Sequence, residues 1–386
     1  MSRILAFEKP NGMKDILPER YERKKQIRSS IERVLHMWGY RFVETPTLEY
    51  YETVGVASAI EDHQLFKLLD SSGQPLVLRP DMTTPIARLA ASTLSKEPLP
   101  LRLGYCAPVF RSPKKEGGAL SEFEQIGVEY IGDYSITADG EVVALLVSVL
   151  KEISLEKFQV SIGHATLLQE LLKGMLPEER LVSSFTQHLV EKNYVAFEKD
   201  VESLSVSTET KKRLLNILSL RGKEDVLSTA SELLTDKEGS EELEQLSKLW
   251  YVLEDYEVSS FVQFDLTLVG EMNYYSGILF EVDAPKIGFP LGNGGRYDFL
   301  VEKFGRKLGA TGFALRLDYV LEALNVKVQL PVLECVLFLP HKQREAIRFA
   351  LQKRAEGIPI VLQPIESLDE IKLYSDKYKQ IYPFFD

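Results

Sequence analysis

Asp81, Thr83, Gln125 and Glu129 are residue types whose oxygens accept hydrogen bonds from an ammonium group. Asp81 and Thr83 follow a short apolar run that ends at Leu78. Gln125 and Glu129 lie in the strand-like run Glu122–Ile131. Strand alternation puts Phe123, Gln125, Gly127 and Glu129 on one face. A glycine between two polar residues leaves room for a small ligand to lie against the sheet. Each residue also has a purely structural reading. Asp81 is placed to cap the helix that follows, and Gln125 can be an ordinary satisfied strand residue. Tyr274 and Tyr275 can divide between core and surface, and Gly294-Gly295 can be only a turn.

The rest of the composition narrows the chemistry. Two cysteines and five scattered histidines give no metal-ligand spacing. Cys106 and Cys335 sit in apolar runs and read as buried thiols in a reducing cytoplasm. A net charge of -11 argues against a nucleic-acid partner, because phosphate binding needs Lys and Arg to displace counterions. No apolar run reaches membrane-spanning length, and the opening Met1–Glu8 is charged too early for a signal peptide. A cytoplasmic location is therefore expected, without membrane or tRNA partners. The length of 386 residues fits two or three domains.

The elements that must position these groups alternate along the chain. Pro18 opens a helix whose Ile27, Ile31, Val34, Leu35 and Trp38 recur at helical spacing, and Gly39 ends it. A strand is predicted over residues 41–45, and a hairpin joins 65–69 to 75–78. Thr83 or Thr84 caps a helix running from Pro85 to about Ser95. Long strands at 101–111 and 122–131, joined by a polar loop with Pro113, Gly117 and Gly118, are most simply antiparallel. A helix at 138–152 and a strand at 158–162 follow. Residues 164–256 read as a helical insertion. Strands are expected at 261–269, 274–282 and 309–315. Gly292–Arg296 reads as a tight turn before a helix at 297–304, and another helix covers 317–324. A strand, helix and strand at 335–339, 343–355 and 360–363 suggest a small α/β tail.

Five segments in order carry a resemblance to class II aminoacyl-tRNA synthetases, and closely to the histidyl enzymes. Asn11-Gly12-Met13-Lys14-Asp15 with Pro46-Thr47-Leu48-Glu49 resembles motif 1. Leu78-Arg79-Pro80-Asp81-Met82-Thr83 resembles the "LRPE-x-T" segment. Phe110-Arg111 through Phe123-Glu124-Gln125 is similar to motif 2. Tyr274-Tyr275-Ser276-Gly277 resembles the histidine-specific tyrosine segment, and Gly294-Gly295-Arg296-Tyr297-Asp298 the glycine turn beside the substrate. The resemblance covers about residues 8 to 325. It implies an α+β fold, a six- or seven-stranded antiparallel sheet flanked by helices, with a dimer interface at motif 1. It also implies that Asp81, Thr83, Arg111, Gln125, Glu129, Tyr274 and Tyr275 contact histidine, the tyrosines walling the imidazole. Arg111 is suited either to an ATP phosphate or to a carboxylate.

The same resemblance exposes losses. The adenylation arginine of the family's Arg-Gly-Leu-Asp-Tyr-Tyr segment is Gly270 here, and Glu271 follows it. The arginine that ends motif 3 is Tyr319, and a motif glycine is Arg316. One lost charge-stabilising group costs on the order of 10²–10³ in rate. The motif 2 loop carries Lys114, Lys115 and Glu116 but has Gly117-Gly118-Ala119 in place of an arginine-bearing stretch; a solvated hairpin tip is its simplest reading. Residues 331–386 resemble only the start of an anticodon-binding domain, and their eight basic and eight acidic residues balance.

The pattern resembles the regulatory subunits of ATP phosphoribosyltransferase. The expectation is a synthetase-like domain over 1–325 and a truncated α/β domain over 331–386. No catalytic residue, metal or cofactor is expected. The expected partners are a short catalytic phosphoribosyltransferase subunit, histidine as effector and a second copy bound through motif 1 within a larger hetero-oligomer. A working histidyl ligase, a paralogue that aminoacylates or modifies something other than tRNA, and an amino-acid sensor with another partner are the alternatives.

Overall fold

The computed structural model describes residues 8–112, 120–176, 178–234, 239–270, 274–324, 333–375 and 377–385. The loop residues Lys114, Lys115, Glu116 and Gly117–Ala119 lie outside the described residues, as do Glu271–Asn273 ahead of the tyrosine pair. The chain divides into two compact units, Met1–Ile16 with Arg23–Val326, and Leu17–Glu22 with Lys327–Asp386.

In chain order, helix α1 (Pro18–Met37) leads to strands β1 (Arg41–Phe42), β2 (Leu48–Tyr50), β3 (Lys67–Leu69) and β4 (Pro75–Leu78). Helix α2 (Thr83–Ala91) precedes the long hairpin β5 (Leu101–Phe110) and β6 (Glu122–Ile131), then α3 (Ile136–Glu152) and β7 (Gln159–His164). The insertion carries α4 (Leu167–Lys173), α5 (Glu179–Val190), α6 (Tyr194–Ser203) and α7 (Thr208–Ile217). It continues with β8 (Arg221–Gly222), α8 (Asp225–Leu233) and α9 (Ser240–Asp255). Strands β9 (Val262–Asp265), β10 (Ile278–Asp283), β11 (Gly292–Arg296) and β12 (Ala310–Arg316) and helix α10 (Leu317–Leu324) complete this unit.

Nine strands form one sheet in the order β1-β5-β6-β12-β11-β10-β7-β9-β8. The run from β5 to β7 is antiparallel, as expected. The sheet is nonetheless mixed and wider than expected, because β1 joins β5 and β9 joins β7 in parallel. The insertion is not purely helical: β8 forms the far edge of the sheet. Its helices bury Phe185, Phe197 and Leu214 in the same core as α3 and the sheet. A second, smaller sheet has the order β2-β4-β3.

Three local expectations need correction. Gly292–Arg296 is a central strand, not a turn. A Cβ on Gly294 would stand 2.3 Å from the Gly312 carbonyl oxygen, and only glycine lets β11 and β12 approach this closely. The strand over 274–282 begins only at Ile278, so the tyrosine pair lies in the segment before it. Helix α2 starts at Thr83, and its cap is the Asp81 carboxylate, which accepts the Thr84 N–H at 2.7 Å.

The second unit has strands β13 (Glu334–Phe338), β14 (Ile360–Pro364) and β15 (Gln380–Phe384) in a parallel sheet of order β14-β13-β15, with helix α11 (Gln343–Ala355). Alternation along β13 sends Val336 and Phe338 into one small core and Cys335 and Leu337 into another.

One buried ion pair fixes the end of β11 to the start of α3. The Arg296 guanidinium donates to Asp139 Oδ2 at 3.0 Å, to the Asp133 and Ser135 carbonyls at 3.0 Å each, and to Asp298 at 3.2 Å. Burial pushes the Asp139 carboxyl up to about 6 even with this arginine beside it. Arg296→Ala leaves that carboxylate buried without its partner. The expected cost is roughly 3–5 kcal/mol by urea unfolding, and a loss of less than about 1 kcal/mol refutes the role.

Candidate functional site

A cavity with about 290 Å³ of empty space, counting the part open to solvent, lies on the face of the sheet where β6, β12 and β11 meet. Asp81 comes from the turn before α2 and Thr83 from the first residue of α2. Gln125 and Glu129 come from β6, and Asn293, Gly294 and Gly295 from β11. Gly312, Phe313 and Ala314 come from β12, and Tyr274, Tyr275 and Tyr297 complete the wall. Six of the seven binding residues expected from the sequence thus line a single cavity.

Register explains the convergence. Gln125, Gly127 and Glu129 stand opposite Arg316, Ala314 and Gly312 on β12, and Gly312 and Ala314 stand opposite Gly295 and Asn293 on β11. The floor is therefore made of small residues, with polar groups rising from β6. The room left by glycine is not where the sequence suggested. A Cβ on Gly127 would stand 2.0 Å from the Phe313 carbonyl oxygen and 2.7 Å from the Tyr105 hydroxyl, so the protein itself fills that space. Gly312, in the pocket floor, leaves its space to the Glu129 carboxyl and to the close approach of β6. A Cβ there would stand 2.3 Å from Glu129 Oε2.

Electrostatically, the lining holds two carboxyl groups and, among its described residues, no cation. Asp81 is 1% exposed; besides capping α2 it accepts the Ser58 hydroxyl at 2.6 Å. The capping and ligand readings of Asp81 are therefore compatible, because each carboxylate oxygen accepts more than one bond. Glu129 is also 1% exposed and accepts the Tyr297 hydroxyl in a short hydrogen bond. Burial pushes its carboxyl up to about 8, against the pull of Tyr297, while the Asp81 charge adds to the rise. The side-chain oxygen of Gln125 is buried without a hydrogen-bond partner among the described residues. An acceptor kept in this state calls for a donor from outside.

Tyr274 packs edge-on against Tyr275 at 5.2 Å between ring centroids and tilts against Tyr297 at 5.6 Å. The Tyr275 ring is held between two glycines. A Cβ on Gly270 would stand 2.7 Å from one of its edge carbons, and a Cβ on Gly295 3.0 Å from another. Arg111 does not line the cavity. Its Nε donates to the Pro80 carbonyl at 2.8 Å, next to Asp81, and its guanidinium lies 5.4 Å from the Phe123 ring centroid. Tyr297 and Asn293 line the cavity and Ser58 supports Asp81, but none of the three is among the binding residues expected from the sequence. Tyr297 follows the Gly-Gly-Arg run directly, a signal available in the sequence; nothing marked Asn293 or Ser58.

Comparison with known proteins identifies the family. Residues 12–320 match the family model described as histidyl-tRNA synthetase, and residues 335–386 match that of the HisZ C-terminal domain. The chain is 49% identical to an ATP phosphoribosyltransferase regulatory subunit of Geobacillus thermodenitrificans, over 98% of this chain and 96% of the relative. It is 46% identical to one of Bacillus subtilis, over 99% and 97%. The chain belongs to the family of ATP phosphoribosyltransferase regulatory subunits. A crystal structure described as such a subunit or a histidyl-tRNA synthetase from Bacillus halodurans superposes with a TM-score of 0.93 at 46% identity, covering all of both chains. A histidyl-tRNA synthetase from Nostoc shares the fold, with a TM-score of 0.79 at 19% identity over 96% of this chain and 89% of that one.

The Glu129 carboxyl gives this family member a measurable proton linkage. The fold favours its neutral form, so its contribution to stability is full below the ordinary glutamate range near ~4.3 and is lost as pH rises through about 8. A ligand that brings an ammonium group favours the charged form. Its binding at pH 7 should release close to one proton, and release should fade above about pH 9. Calorimetry in buffers of different ionisation heat measures this number. Glu129→Gln should abolish it, and binding without proton release in the wild type contradicts the assignment.

Proposed function

We propose that this chain is a non-catalytic regulatory subunit that binds histidine in the described pocket and works with a short catalytic ATP phosphoribosyltransferase subunit in the first step of histidine biosynthesis. The reading rests chiefly on one observation. The pocket keeps acceptors suited to an amino acid, Asp81, Gln125 and Glu129, while Gly270 and Tyr319 stand where adenylating relatives carry arginines. Thr83, Tyr274 and Tyr275 complete the amino-acid side of the pocket, and Arg111 stands at its rim. Tyr275 packs where a side chain at position 270 would begin, which supports the loss of adenylation as a built-in feature. Histidine acts as effector only if it binds the active and inactive complexes with different affinity.

Reconstitution tests the proposal. Mixed with a short-form phosphoribosyltransferase, the chain should raise phosphoribosyl-ATP formation, and histidine should inhibit it. No activation rejects the regulatory role, and histidine-dependent ATP–pyrophosphate exchange by the chain alone favours a working ligase. Gln125→Ala should raise the histidine concentration for half-inhibition about tenfold or more. It is a cleaner probe than Asp81→Ala, which also removes the cap of α2.

The reading includes a cytoplasmic complex without tRNA, in which two copies of the chain meet through the motif 1 region. The small sheet supports this. Tyr50 and Leu68 both stand opposite Leu76, on one face, and are 53% and 44% exposed, with Leu48 beside them at 46%. Its other face buries Glu49 and Val77. Tyr50→Asp with Leu68→Asp should yield a monomer by light scattering; an unchanged mass places the interface elsewhere.

A further inference from the structure

The amino-acid pocket has a charge problem, and its solution lies two residues along β12 from the lining. An α-amino acid carries a carboxylate as well as an ammonium group. Within the described lining the ionisable groups are the acids Asp81 and Glu129, the latter charged once an ammonium binds; they attract the ammonium and give the carboxylate no partner. A carboxylate bound here needs a cation within reach. Position 270 does not provide one, and a side chain there would run into the Tyr275 ring.

Two guanidinium groups gather instead at Phe123, which shares the pocket face of β6 with Gln125 and Glu129. Arg316 on β12 stands directly opposite Gln125 and follows the lining residue Ala314 on the same face. Its guanidinium lies 3.8 Å from the Phe123 ring centroid and 4.2 Å from that of Tyr319. Tyr319 stacks in turn on Phe289 at 5.8 Å. Stacking on rings engages the faces of a guanidinium, while its five N–H donors point outward in the plane of the group. Arg111 approaches the same Phe123 ring from the strand end beside Pro80 and Asp81. One of its terminal nitrogens, Nη2, is buried with no hydrogen-bond partner among the described residues. A buried donor left unpaired is costly, so a structure that keeps one has a place ready for an acceptor. The rim between Asp81 and Gln125 thus carries the positive charge that the lining lacks.

We propose that Arg316, with Arg111, seats the carboxylate of the bound α-amino acid and so makes the pocket selective for the amino acid over its decarboxylated amine. This rests on the amino-acid pocket proposed above. Arg316 replaces a motif glycine, so the residue that crowds the nucleotide space of the ancestral site is the one that takes over carboxylate recognition. Phe123 and Tyr319 hold its guanidinium plane, which reduces the freedom lost when the bond to the ligand forms. Arg111, tethered by its bond to Pro80, supplies the second set of donors.

Titration calorimetry of the full chain with histidine and with histamine, which lacks only the carboxylate, tests this. The wild type should bind histidine at least about tenfold more tightly than histamine. Arg316→Leu should weaken histidine by about tenfold or more and leave histamine within about threefold, so that the preference collapses. Retained histamine binding also shows that the variant is folded. Arg316→Lys keeps the charge without the planar fork and should fall between the two. A histidine-to-histamine ratio unchanged in Arg316→Leu overturns the role of Arg316 and leaves the pocket itself standing. A wild type that binds neither compound removes the amino-acid pocket, and this proposal with it.

Discussion

Glu129 holds a carboxyl group 1% exposed in the middle of a nine-stranded sheet, and much of the pocket is arranged around the cost of that burial. Gly312 gives up its side chain to leave the space, and the Tyr297 hydroxyl supplies a hydrogen bond. Asp81, the other lining carboxylate, spends its oxygens on the Thr84 N–H and the Ser58 hydroxyl. Two acids this close are tolerated because one is kept neutral and the other is well solvated by protein donors. A positively charged group between the two would satisfy both at once.

Tyr275 shows how one packing decision sets both a wall of the pocket and the residue that can stand at position 270. Its ring needs glycine at 270 on one side and at 295 on the other. The place of Tyr275 in the pocket wall and the absence of a side chain at 270 are the same fact seen from two directions. Phe123, Arg316, Tyr319 and Phe289 form a continuous stack on the other side of Gln125, with Arg316 between the Phe123 and Tyr319 rings.

The site is held from outside by elements with no direct part in it. Arg296, between the lining residues Gly295 and Tyr297, anchors β11 to α3 through Asp139. Helix α3 in turn meets α9 of the insertion so closely that a Cβ on Gly140 would stand 2.3 Å from Val252 Cγ1. The pocket, α3 and the insertion are thus mechanically continuous within one unit.

Some of this was legible in the sequence. The long β5–β6 hairpin, the helical spacing of α1 and the alternation that aligns Gln125 with Glu129 are local properties of the chain, and a resemblance spread over five ordered segments fixed the fold. Three things depended on neighbours far away in sequence. Gly292–Arg296 has the composition of a turn, and only the close approach of β10 and β12 makes it a strand. Gly127 looked like space for a ligand until Tyr105, from the neighbouring strand, filled it. Arg316 read as an obstruction to a nucleotide, and the register opposite Gln125 gave it a position at the rim of the pocket. In each case the residue's role is set by what lies across a strand pair, a distance that spacing along the chain does not encode.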